Sequence, residues 1–218
     1  MFSKILLLFL SITLVFGSFA DSPLTSTPFY KAYLDKKIVK RAKENGLDKK
    51  VIKYLGKSKH DAALKIAAIN AVGWGKEGTT KKFEESLLKK RKGLDTAVFN
   101  FLREVPEKAP VETEQTKLLT SDDLMCWTYL QAMEDYFHPE KCMSGAFFCF
   151  VRNEKSMAHA TVFALIACQN SFDYDWCKIY QLGQLYLVET DYEENKLSTE
   201  AVKIILDYLN LYGDSCKE

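Results

Sequence analysis

The chain reads as an all-α protein, with antiparallel helical hairpins packed as a bundle or short α-solenoid and a disulfide-stapled second half. Three observations carry this. Apolar residues recur at helical spacing from Phe29 to Leu209, and nothing reads as strands alternating with helices. Gly or Pro punctuates the stripes at short intervals. Five of the six cysteines (Cys126, Cys142, Cys149, Cys168 and Cys177) fall between Ser121 and Thr190, and Cys216 is the sixth.

Residues 1–20 read as a secretory signal peptide. Lys4 gives a basic start, Ile5 to Phe16 is apolar, and Ser18-Phe19-Ala20 is a small-x-small cleavage site. The apolar run is short for a bilayer span. Cleavage is expected after Ala20, which leaves a chain without a transmembrane segment, exported to the periplasm or secreted. That compartment permits disulfides.

Residues 21–103 form a basic helical half. Phe29, Tyr33, Leu34, Ile38 and Ala42 make one stripe that ends at Asn45-Gly46. Val51, Ile52 and Leu55 make a short helix ended by Gly56. Ser58-x-x-Asp61 has the capping-box pattern before Ala63, Ile66, Ala67 and Asn70, and Gly73 follows. Phe83, Leu87 and Leu88 precede Gly93, and Leu94, Ala97, Val98, Phe101 and Leu102 close the series. Residues 104–119, with Pro106 and Pro110 and no aromatic residue, read as a linker or long loop.

Residues 120–218 form the cysteine-containing helical half. Thr120 with Asp123 signals a helix start, and Cys126, Leu130, Met133 and Phe137 share its face until His138-Pro139 stops it. A second helix is expected from about Glu140 to Val151. A third, from Ser156 through Cys168, is apolar almost all round and reads as a buried central helix. Asp173 is the expected N-cap of a fourth, with Trp176, Tyr180, Gly183 and Leu187 along one face. Ser198 caps the last helix, and Gly213 ends it.

Six cysteines allow fifteen pairings. In an antiparallel hairpin, residues equidistant from the turn face each other. That predicts Cys126–Cys149 and Cys168–Cys177, and elimination leaves Cys142–Cys216. The alternative is that some of them pack as buried free thiols.

Residues 48–102 resemble HEAT-like helical repeats. The likeness rests on Asp61 to Trp74, DAALKIAAINAVGW, with a shorter echo in Ala158 to Ala167. The resemblance implies stacked helix pairs whose surface binds other proteins, and it hands on no catalytic residue.

Charge is uneven. Residues 21–104 carry 20 Lys or Arg against 10 Asp or Glu, whereas residues 105–218 carry 9 against 19. A basic half can bind an anionic envelope or membrane surface. Equally, its lysines can be solvated helix faces, or the two halves can attract each other. Nucleic acid fits poorly: the basic residues are mostly Lys, and no nucleic-acid motif occurs.

No C-x-x-C, H-E-x-x-H, G-x-S-x-G or complete phosphate loop is present, so no metal, cofactor or catalytic residue is assigned. His138 with Cys142 is the best metal-ligand spacing, but Pro139 lies between them. His159 reads as a core or groove histidine. Phe172, Tyr174, Trp176 and Tyr180 are dense enough to line a binding groove, although the same spacing also serves a core. The expected function is an exported protein-interaction module without catalytic activity. The alternatives are a peripheral binder of anionic surfaces and an enzyme with no recognisable motif.

Overall fold

Three largely buried helices form the centre of the molecule: α3 (Ala62–Val72), α7 (Ser121–Glu134) and α9 (Met157–Ser171). All three touch one another. Every residue of α3 except Leu64 is buried. A helix that is apolar all round has no solvent face to keep, so its neighbours must enclose it. The buried central helix expected over Ser156 to Cys168 is α9. The computed structural model describes residues 21–104 and 113–217. The signal-peptide reading and half of the expected linker, residues 105–112, fall outside them.

The other helices wrap this centre. α1 (Lys37–Asn45) lies on α3, and α2 (Lys49–Leu55) bridges to α4 (Thr79–Lys90), which packs on α7. α8 (Met143–Val151) covers α7 and α9, and α10 (Trp176–Gln184) covers α9. α5 (Ala97–Glu104) meets α8, and α11 (Thr199–Leu209) meets a 3-10 turn at Phe29–Tyr33. With α6 (Glu114–Lys117), the described residues hold eleven α-helices and no strand beyond one isolated bridge, Ser156 to Glu194. The two halves share one core. The part of the 104–119 stretch that is described is docked: Leu119 is buried, and Arg152 Nη1 donates to the carbonyls of Thr116 (3.1 Å) and Leu119 (2.8 Å).

Several caps follow from sequence. Thr120 and Asp123 form a reciprocal capping box on α7, and Ser198 accepts from Ala201 N at 3.2 Å on α11. Others moved. Asp61, not Ser58, caps α3, accepting from Ala63 N at 2.7 Å. Asp175, not Asp173, caps α10, accepting from Lys178 N at 2.9 Å. The first stripe is two elements, because tertiary bonds pull it out of helical register. Tyr30 N donates to Asn70 Oδ1 (3.1 Å), and Tyr33 Oη accepts from Ser198 N (2.8 Å). Gly213 does not end α11. A 3-10 turn, Asn210–Cys216, runs through it, and a Cβ there would lie 3.3 Å from the Tyr180 ring.

The cysteine pairing differs from expectation. Cys177 is bonded to Cys216, with Cα atoms 4.7 Å apart, so the pairs Cys168–Cys177 and Cys142–Cys216 are replaced. Cys126 and Cys149 are not joined; with Cys142 and Cys168 they are buried free thiols. The reason lies in the turns. Cys168 faces the core on α9, whereas Cys177 sits on the half-exposed outer side of α10, beside the tail. Between α7 and α8 the chain takes a 3-10 turn at Pro139–Cys142 in place of a tight hairpin. Equal distance from such a turn is not equal height.

Candidate functional site

A wide cleft lies between α2 and α4. Each helix turns one apolar stripe inward: Val51 and Leu55 from α2, Phe83 and Leu87 from α4. Burying each such side chain contributes about 1.5–3 kcal/mol, which fixes the rotation of both helices. The opposite stripes then face each other across open space. From α2 and its C-terminal end come Lys49, Lys53 and Lys57, four residues apart. From α4 come Lys82, Lys89 and Lys90. Leu47, Ile52 and Gly56 add small or apolar surface between them, and the cleft encloses about 810 Å³.

None of these six lysines pairs with a carboxylate among the described residues. Of the eighteen other described lysines, nine hold such a pair, for example Lys155 with Glu193. Two acids share the lining. Asp48 is already engaged by Arg41 and by the α2 N–H groups of Lys50 and Val51. Glu85 remains. Lys90 reaches across towards Gly56, where an added Cβ would lie 3.8 Å from its ammonium. Partial burial, followed by the charges of Arg91, Lys65 and Lys57, holds the Lys90 ammonium below its ordinary pKa. The groove is therefore an uncompensated positive site with an apolar floor.

A second polar constellation is closed. His159 Nδ1 lies 2.8 Å from Ser156 Oγ, and its Nε2 lies 3.3 Å from Asp122 Oδ1 without a directed hydrogen bond. Acid, imidazole and hydroxyl in series suggest nucleophile activation. Yet Ser156 and His159 are fully buried, and Ser156 Oγ also accepts from Asn195 Nδ2 at 3.0 Å. Asn195 in turn accepts from Ala62 N at 3.4 Å, so the set ties the starts of α3 and α9 together. It is core architecture, and Lys65, which also holds Asp122, completes it.

The aromatic residues singled out in sequence do not form one groove. Phe172 and Trp176 pack edge-on against Tyr212, Tyr180 covers Gly213, and Tyr174 stands 68% exposed. Phe172 and Tyr174 line a smaller pocket elsewhere. His138 is exposed beside Glu140, while Cys142 is buried. Among the described residues no three His, Cys, Asp or Glu side chains gather as a metal site. The lysine groove itself escaped the sequence reading, although the lysines at 49/53/57 and 82/89/90 carried it. What they could not show is that α2 and α4, separated by α3, lie side by side.

No protein-family model, curated protein or solved structure matches the chain, so the likeness of residues 48–102 to HEAT-like repeats rests on those residues alone.

Proposed function

We propose that the chain is an exported, non-catalytic protein-interaction module, and that the α2–α4 groove takes an acidic, amphipathic segment of a partner protein. The observation that carries this is the set of six unpaired lysines above an apolar floor. A concave trough between two helix ridges matches a helix laid in a groove, where apolar anchors give affinity and rim charges give orientation. A flat lipid surface would meet the ridges and leave the floor empty. Export is supported by the leader-like first twenty residues and by the Cys177–Cys216 disulfide.

The test uses a fluorescent synthetic helix with Glu on one face and Leu on the other, beside vesicles of anionic phosphatidylglycerol. Saturable, salt-sensitive binding of the peptide is expected, falling roughly tenfold or more in the Lys53→Glu/Lys89→Glu double variant. Ile52→Asp should also weaken it, while a peptide of equal charge with no apolar face should bind poorly. Preference for the vesicles over the peptide would make the chain a peripheral binder of anionic surfaces instead.

A further inference from the structure

A second pocket has the opposite character. It lies between the N-terminal segment, the connection from α7 to α8 and the turn from α9 to α10, and encloses about 320 Å³, within the lower range of small-molecule sites. Its walls are aromatic: Tyr136, Phe137, Phe172 and Tyr174. Phe137 is 74% exposed and Tyr174 68%, an unusual cost for rings that could pack inward. Both are held in place. The Tyr136 and Phe137 ring centroids are 4.2 Å apart, and Tyr174 Oη accepts from Asn170 Nδ2 at 3.3 Å. Three carboxylates, Asp21, Glu140 and Asp173, complete the rim, and no Lys, Arg or His lines it.

Aromatic faces attract cations through their quadrupole, and carboxylates add direct charge attraction. A neutral ligand would gain only the stacking, and an anion would be repelled. We propose that this pocket binds a small organic ammonium ion, with the charged nitrogen against the rings of Phe137 and Tyr174 and the carboxylate of Asp173. Asp21 also accepts from Ser26 Oγ at 3.1 Å, and Glu140 neighbours His138 Nδ1 at 3.2 Å. No hydrogen bond or ion pair occupies Asp173 among the described residues, which makes it the carboxylate open to a ligand. Removal of residues 1–20 would add one ammonium, at Asp21, and two carboxylates would still be in excess. The site is independent of the α2–α4 groove, so either can fail without the other.

The experiment titrates choline into the purified protein by calorimetry, with 3,3-dimethylbutan-1-ol, its uncharged isostere, as the comparison. Saturable choline binding is expected, with little or none for the alcohol. Asp173→Asn and Tyr174→Ala should each weaken it about fivefold or more; both residues are exposed, and circular dichroism checks that the variants fold. The Lys53→Glu/Lys89→Glu variant should bind choline unchanged. Absence of saturable binding, equal binding of the alcohol, or indifference to both substitutions would overturn the proposal.

Discussion

The ammonium of Lys65 on α3 is wholly buried and is held by the carboxylate of Asp122 on α7, whose side chain keeps 19% of its exposure. The two ends of this pair are therefore not equivalent. Removing Asp122 strands a buried cation, which costs about 3–5 kcal/mol. Removing Lys65 leaves an acid that still has His159 and some water. Asp122→Ala should destabilise more than Lys65→Met, and the double variant Lys65→Met/Asp122→Leu should recover much of the loss. Urea midpoints of the three variants check the order.

Asp122 and Glu134 also set the response to acid. Burial would raise the Asp122 carboxyl, but the His159 ring and the Lys65 ammonium outweigh it and hold the value below the ordinary one. For Glu134, burial is outweighed by the N–H groups of Thr80 and Gly78 and by hydroxyls at the start of α4. A depressed folded value means that the ionised form stabilises the fold. That stabilisation is complete above the ordinary carboxylate range, about pH 4 to 5, and drains away as pH falls through it towards the lower folded values. Unfolding curves between pH 7 and pH 2.5 should steepen their loss below about pH 4. In Glu134→Gln that slope should be shallower.

Gly145 marks the close approach of α8 to α7. A methyl group there would collide with Thr128 Oγ1 and lie 3.2 Å from the Trp127 ring, itself fully buried. Gly145→Ala should destabilise by about 1–3 kcal/mol despite the better helix propensity of Ala. Thr128→Ala in the same chain should restore part of that, read from thermal melts.

The Cys177–Cys216 bond closes a loop with a sequence separation of 39. In the chain-entropy model such a loop is worth about 4 kcal/mol. Cys216→Ser should cost a comparable amount, and reductant should lower the melting temperature of the parent chain but not of Cys177→Ser/Cys216→Ser. A brief alkylation pulse on the folded, unreduced protein followed by mass spectrometry should find no modified cysteine. After denaturation without reductant it should find four.

The elements that sequence revealed are those with a local cause. The Thr120/Asp123 box, the Ser198 cap and the all-apolar stripe of α9 each depend on residues a few positions apart. What stayed hidden depends on distant partners. The break after Tyr33 comes from bonds to Asn70 and Ser198, far along the chain. The pairing of Cys177 with Cys216 comes from a tail folding back on α10, which hairpin symmetry does not contain. Lys65 was the one clue in the open: a lone cation in AALKIAAINAV implies a buried partner. Nothing local says that the partner is Asp122. The aromatic set near Trp176 was legible as residues but not as a site, because Phe172 and Tyr174 serve the ammonium pocket while Trp176 and Tyr180 brace the tail.

The four buried thiols give the molecule a built-in clock. Cys126, Cys142, Cys149 and Cys168 lie on α7, the 139–142 turn, α8 and α9, and burial pushes each thiol far up in pKa. A thiol reagent can reach them only when their surroundings open. The order in which they are tagged under native conditions would therefore rank the local opening free energies of α7, the 139–142 turn, α8 and α9, with no engineered probe.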